Sequence, residues 1–490
     1  MIKRYKATQE NTITNAYMEN LTTRGTGSNM GASDILEVFT IFGQVSNSSG
    51  YSREEERFLI KFDISSLSSD RTAGVVPSGS AYFLKLFNAK HVQTVPRDLT
   101  LEVLALSQSW QEGIGLDMDT YKDLTYDVIG SNWIMSSGSN KWQTQLGGEA
   151  GLADTTGGSF HTSPIFTAYL PTGLEDLEVN ITPLVNQWLG GAKQNYGVGI
   201  RVSSSLSALS RSYYTKKFYG RDSHRFFDRP YIEARWDSSA RDDRGQFYSS
   251  SSWVTKADNL NTLYLYNYNR YGKLQDINWQ EGADGKPYVW IYDDLTGSQL
   301  TTYPKTPVTG GKHSTGVYTA SVCVQSTASL LYDVWKDDSG LEAHTGSFAP
   351  KTISRKSYSP TPKYVWTVSN RNTDYEYEQT YRIRLYVRDK NWSPNIYNTA
   401  TTVPPPIIFN SASYQVYRIV DDRVVIGYGT GSHNETRLSY DVSGSYFDLD
   451  TSVLQPNYSY GINFSVYNDD TKSYVQQDYV YKFRVVNNEY

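Results

Sequence analysis

The chain has 490 residues, room for about three domains at roughly 150 residues each, and every one of them long enough to bury a core. Hydrophobic residues make up 38% and charged residues 20%, yet 14% are aromatic, which excludes a disordered chain. The 46 basic and 51 acidic residues leave a net charge of −5 with no basic stripe, so the phosphate-neutralising surface of a nucleic-acid binder is absent.

The first residues, Met1 to Lys6, carry charge without an apolar run behind it, so no secretory signal is expected. No stretch approaches the ~18 apolar residues of a membrane span. Along the chain, short apolar runs alternate with period two and end in Gly, Asn, Asp or Ser, which predicts an all-β protein. The runs are Phe58 to Phe62, Leu263 to Tyr268, Tyr288 to Tyr292, Tyr381 to Arg388, Gln415 to Val420, Ile462 to Tyr467 and Tyr479 to Val485. The mixed-sign run Arg53 to Arg57 reads as a solvated loop. One helix is expected, with Thr182 as cap, Pro183 in its first position, Leu184, Val185, Trp188 and Leu189 as its apolar face, and Gly190-Gly191 as its end. The polar run from Asp237 to Ser252 reads as a linker. Asp-Asp pairs at 293, 337, 421 and 469 read as turn residues. The lone cysteine, Cys323, sits in an alternating strand as a small core residue and fits folding in a reducing compartment.

The expected layout is therefore an N-terminal β domain over residues 1–236 that contains a polar Gly/Ser-rich stretch at 116–171, a linker at 237–252, and two modules of immunoglobulin-like sandwich size at 253–350 and 351–490. In the last, Leu454 to Tyr460 has the pattern of a tyrosine corner, with Tyr460 returning a hydrogen bond to nearby backbone.

Chemistry-bearing constellations are scarce. The six histidines, His91, His161, His224, His313, His344 and His433, show no metal-binding spacing, and no Gly-x-Ser-x-Gly joins a strand to a helix. Asp117 and Asp119, with Asp123 and Asp127, form the best calcium-like spacing, but Tyr121 and Lys122 break the EF-hand template, so a solvated loop is favoured and no cofactor is expected. Paired carboxylates for sugar hydrolysis would have to meet in space rather than in sequence. Trp133 and Trp142 lie in the polar insertion and are the candidate contacts for a glycan or a partner; the competing reading is that each anchors its loop onto the sandwich.

Thr22 to Asp34, Arg57 to Leu67, Ala81 to Leu86, Trp110 to Gly113, Ile181 to Leu189, Asn195 to Arg201 and Arg229 to Glu233 follow one another in an order that resembles the DNRLRE-type sandwich, a jelly-roll related to carbohydrate-binding modules. The insertion at 116–171 departs from that pattern. The stretches Thr22 to Phe39, Asn391 to Tyr397 and Thr436 to Asp450 resemble virion structural proteins of contractile-tailed bacteriophages, including those of marine cyanobacteria. The fold expected is thus all-β, an N-terminal jelly-roll followed by two immunoglobulin-like sandwiches. The resemblance implies a non-enzymatic virion component of collar, neck, tail or head surface, a homo-oligomer packed against other virion proteins and assembled in the host cytoplasm. Two alternatives stand beside it: a host-surface glycan-binding adhesin that uses the N-terminal jelly-roll, and a depolymerase built on a sandwich rim.

Overall fold

The computed structural model describes the chain except for residues 19, 21, 45–50, 91–96, 117–128, 144–156, 210–212, 252, 280–285, 352–361, 393–403, 405, 430–433 and 488–490. It divides into two compact units, Ile2–Trp236 and Asp237–Tyr490, the second also taking Met1.

The N-terminal unit contains β1 (Ile2–Thr14), β2 (Ile35–Gln44), β3 (Tyr51–Phe62), β4 (Ala81–Leu86), β5 (Leu99–Leu106), β6 (Met135–Ser137), β7 (Asn140–Lys141), β8 (Phe160–Leu170), β9 (Leu177–Asn180), β10 (Val198–Val202), β11 (Tyr213–Tyr219) and β12 (Tyr231–Arg235). Strand β1 belongs to both layers. Its start, Ile2 to Lys6, pairs with β12, and after an irregularity between Ala7 and Gln9 its remainder pairs with β3. From β12 one layer continues through β4 to β9; from β3 the other continues through β10 and β5 to β8, with β2 and β11 branching from β3. This is a jelly-roll sandwich, and its inward-facing residues, among them Phe58, Ile60, Leu84, Val103, Ile200 and Ile232, are wholly buried.

Helix α1 (Ser65–Thr72) was not expected, because it buries only Leu67 and so leaves no apolar stripe to read. Helix α2 (Thr182–Leu189) is the one anticipated, with Leu184, Val185 and Trp188 buried, but Thr182 does not cap it. Its hydroxyl instead donates to Asn180 Oδ1 at 2.6 Å and accepts from the Tyr82 backbone N–H at 2.8 Å, tying the helix entry to β4. Residues 53–57 are a second correction: they lie within β3, and Glu55, Glu56 and Arg57 are buried rather than solvated.

The C-terminal unit holds two immunoglobulin-like sandwiches. The first has β13 (Asn261–Tyr266), β14 (Tyr288–Tyr292), β15 (Thr302–Tyr303), β16 (Val308–Thr309), β17 (Gly311–Ser314), β18 (Val317–Val324), β19 (Leu331–Lys336) and β20 (Glu342–Phe348). One sheet gathers β13, β15 and β17 around β18, and the other runs β16-β14-β19-β20. The second has β21 (Tyr364–Val368), β22 (Asp374–Glu376), β23 (Thr380–Asp389), β24 (Ala412–Arg418), β25 (Arg423–Ile426), β26 (Ser439–Asp441), β27 (Gly444–Asp450), β28 (Ser459–Asn468) and β29 (Ser473–Val486). Its sheets run β21-β23-β27-β26 and β22-β29-β28-β24-β25. Along β23 the period of two is plain: Ile383, Leu385 and Val387 are buried, while Arg382 reaches out to Asp448. All four Asp-Asp pairs lie between strands.

The segment after Trp236 is bound along its length to both sandwiches, unlike a solvated linker. Phe247 enters the first core beside Phe348, with ring centroids 4.5 Å apart. Asp243 accepts from the Thr262 N–H at 2.7 Å and, through its other oxygen, from the Tyr440 hydroxyl at 2.8 Å. Backbone bonds join Ala240 and Asp242 to Tyr440. Its polar residues satisfy strand backbones, so a composition that suggests a flexible tether here builds a seam.

Candidate functional site

The insertion region of the N-terminal unit is where the sequence places its candidate contact residues. Trp133 and Trp142 are 2% and 3% exposed, and with Ile13, Leu59, Leu106 and Trp110 they form one apolar cluster. Neither ring has a face left for a sugar; of the two readings the sequence leaves open, the burial fits the one in which each ring anchors its loop onto the sandwich. The Trp142 indole N–H donates to Asn132 O and that of Trp110 to Tyr196 O, each at 2.8 Å. Arg57 lies over the Trp133 ring at 5.0 Å, holds Glu55 at 2.8 Å and donates to Gly157 O at 3.2 Å. At Gly157, φ is +54° and an added Cβ would stand 2.8 Å from the Trp133 ring, so only glycine lets the chain pass this close.

A second set of residues fixes the mouth of the insertion, and the sequence did not single it out. The Asn29 side-chain amide donates to Ile129 O at 3.1 Å, and its oxygen accepts from the Gly115 N–H at 3.0 Å. One carboxamide thus clamps the chain on both sides of 117–128. A Cβ at Gly113 would fall 1.9 Å from Asn29 Oδ1, so the clamp needs glycine there. Asn11 adds a parallel tie, donating to both the carbonyl and the hydroxyl of Ser131 at 2.8 Å and accepting from the Met30 N–H at 3.1 Å. Asp117, Asp119, Asp123 and Asp127 lie outside the described residues. Among those described, no cluster of three or more His, Cys, Asp or Glu residues could hold a metal ion.

Two carboxylates do meet in space. Both oxygens of Glu10 accept from the Arg221 backbone N–H, at 2.7 and 2.8 Å, while the Arg221 guanidinium holds Glu112 at 3.1 and 3.2 Å. The Glu10 N–H donates to Glu112 Oε1 at 2.8 Å. Burial pushes Glu10 up to about 8, against the pull of Arg221. Glu10 has no exposed surface, so a polysaccharide has no access to it, and the group reads as a packed node between β1, the Trp110–Gly113 stretch and the end of β11.

Lys216, on β11, is also fully buried. Its ammonium nitrogen reaches Asn88 Oδ1 at 2.6 Å and the carbonyls of Gly173 and Glu175 at 2.8 Å, holding the turn between β8 and β9. Burial pulls its pKa down to about 8 although three oxygens face it. In the last sandwich, the buried Tyr460 hydroxyl donates to Gln455 O at 2.7 Å and accepts from the Gln455 N–H at 2.8 Å, which is the geometry of a tyrosine corner.

No family model matches the chain, and no curated protein does. Among solved structures it is similar to a chimeric titin Z1Z2-Z1Z2 tandem, at 8% identity and TM-score 0.16 over 42% of this chain and 85% of that one. It is similar to the N-terminal Ig1-2 module of the Drosophila receptor protein tyrosine phosphatase DLAR, at 8% identity and TM-score 0.14 over 47% of this chain and 91% of that one. It is also similar to Salmonella alpha-2-macroglobulin reacted with methylamine, at 7% identity and TM-score 0.15 over 92% of this chain and 26% of that one. Likenesses this distant carry no functional argument.

Proposed function

We propose that the protein is a non-enzymatic structural component of a bacteriophage virion, at the collar, neck, tail or head surface, and that it acts by packing in many copies against itself and neighbouring virion proteins. The observation that carries this reading is the burial of Trp133 and Trp142. The two rings that an adhesin would hold open as a sugar platform are packed against Ile13, Leu59, Leu106 and Trp110. Exposed tyrosines such as Tyr169, Tyr213, Tyr271 and Tyr474 are side chains suited to protein contacts. The resemblance of Thr22 to Phe39 and Thr436 to Asp450 to tailed-phage virion proteins points the same way. Many weak contacts engaged at once then supply the affinity.

Quantitative mass spectrometry of purified particles tests the proposal. The expected result is this chain at a fixed multicopy ratio to the major virion proteins. Its absence from washed particles, or turnover of a polysaccharide by the purified chain, would overturn the reading.

A further inference from the structure

We propose that Lys216 and Asn88 join covalently, the lysine amine displacing ammonia from the asparagine carboxamide to leave an amide bond between Nζ and Cγ that ties β11 to the chain after β4. The backbone brings the pair together. Asn88 stands opposite Phe218 in an isolated antiparallel bridge, flanked by bonds of 3.0 Å from Ala89 N to Lys217 O and from Tyr219 N to Phe87 O. Lys216 lies two residues before Phe218 on β11, so both side chains leave the strand on one face and Lys216 is the diagonal neighbour of Asn88. Its Nζ sits 2.6 Å from Asn88 Oδ1, with the amide carbon one bond further on. Holding reacting groups this close removes much of the entropy cost of bringing them together.

The surroundings favour the amine over the ammonium. Among the described lysines Lys216 is the one without exposed surface, and its Nζ lies 5.1 Å from the centre of the Phe218 ring. Burial lowers its pKa to about 8, although Asp176 and Glu175 pull the other way. A neutral amine has two N–H groups and one lone pair. Gly173 O and Glu175 O, each at 2.8 Å, accept the two N–H groups, which leaves the lone pair for the direction of Asn88. The terminal torsion of an asparagine is soft, so a turn of the carboxamide presents its face to that lone pair.

The step balances without an oxidant or a cofactor. The amine, once its third proton is lost, attacks Cγ, and the Cγ–Nδ2 bond breaks from the tetrahedral adduct. One proton passes from Nζ to Nδ2, and that nitrogen leaves as ammonia. Asp176 is the carboxylate placed to relay the proton: its Oδ1 accepts from the Asn88 backbone N–H at 2.8 Å, and its charge bears on Lys216 more than that of Glu175 does. Spanning 128 positions of sequence, the link acts on the unfolded chain as a long-loop disulfide does, without sensitivity to reductant.

The mass of the full chain, measured denatured after incubation above pH 8, is expected to fall short of the sequence by one ammonia. A tryptic digest is expected to contain residues 86–90 joined to residues 212–217, uncut at Lys216. Asn88→Ala and Lys216→Arg are each expected to keep the full mass, and Asp176→Asn to slow the loss; an unchanged rate there removes Asp176 as the relay. Mass is the readout because Lys216→Met forfeits its hydrogen bonds with or without the link. A wild-type chain at full mass, or an ammonia loss without the branched peptide, overturns the proposal. Neither result bears on the virion reading, so the two proposals fail separately.

Discussion

Trp133→Ala and Trp142→Ala separate packing from contact, because a ring in a core and a ring on a surface give opposite results when removed. Each is buried among residues from β1, β3 and β5, so each truncation is expected to cost about 3–5 kcal/mol of the N-terminal unit's stability in urea unfolding. A loss below about 0.5 kcal/mol would return the rings to solvent. Lys216→Met removes the donor to Asn88, Gly173 and Glu175 and strands two buried carbonyls; a loss of about 2–3 kcal/mol is expected by the same measurement. Glu10 gives a pH dependence. Its folded pKa of about 8 lies above the ordinary 4.5, so below 4.5 its contribution is fully present, and it is lost as pH rises through 8. Arg221 opposes this rise while Asp222 and Glu112 add to it. Unfolding curves from pH 5 to 8 are expected to fall by up to about 4 kcal/mol in the wild type, with a flatter profile in Glu10→Gln.

At the scale of the element, Arg244 ties the segment after Trp236 to the first C-terminal sandwich, donating to Asp333 Oδ2 at 2.7 Å and to Tyr264 O at 3.1 Å. Asp333 is wholly buried, and Arg244→Met leaves its carboxylate without its cation. A cost of about 3–5 kcal/mol is expected in thermal unfolding, with Arg244→Met/Asp333→Leu recovering most of it. The strands were legible because a half-buried sheet writes its period into adjacent residues, as in β14 and β23. The seam was not, because the residues that make it useful to the fold, Asp243, Phe247 and Tyr440, find their partners on strands far away in sequence. The site shows the same divide. Trp133 and Trp142 sit in a Gly/Ser-rich polar stretch whose local composition says exposure, while Ile13, Leu59 and Leu106, which bury them, lie before it in the chain. Asn29 could have been suspected from Asn29-Met30-Gly31 within the resembling loop, yet its clamp joins residues 29, 115 and 129 and exists only once the chain is folded.

For the whole molecule, the division at Trp236 gives two bodies that close their own cores. In the C-terminal one, the cluster of Ala240, Tyr264, Val317 and Tyr446 binds the two sandwiches into a single unit. On the proposed function the chain acts through the surfaces it presents in a virion, and its position there is the property to measure. The measurement that reaches it most directly is imaging of the intact particle at a resolution that traces the chain. The expected result is a symmetric ring of copies in which residues 2–236 pack against other virion proteins and Trp133 and Trp142 stay buried against Ile13, Leu59 and Leu106. A particle that carries the unit outward, with both rings open to solvent, would contradict it.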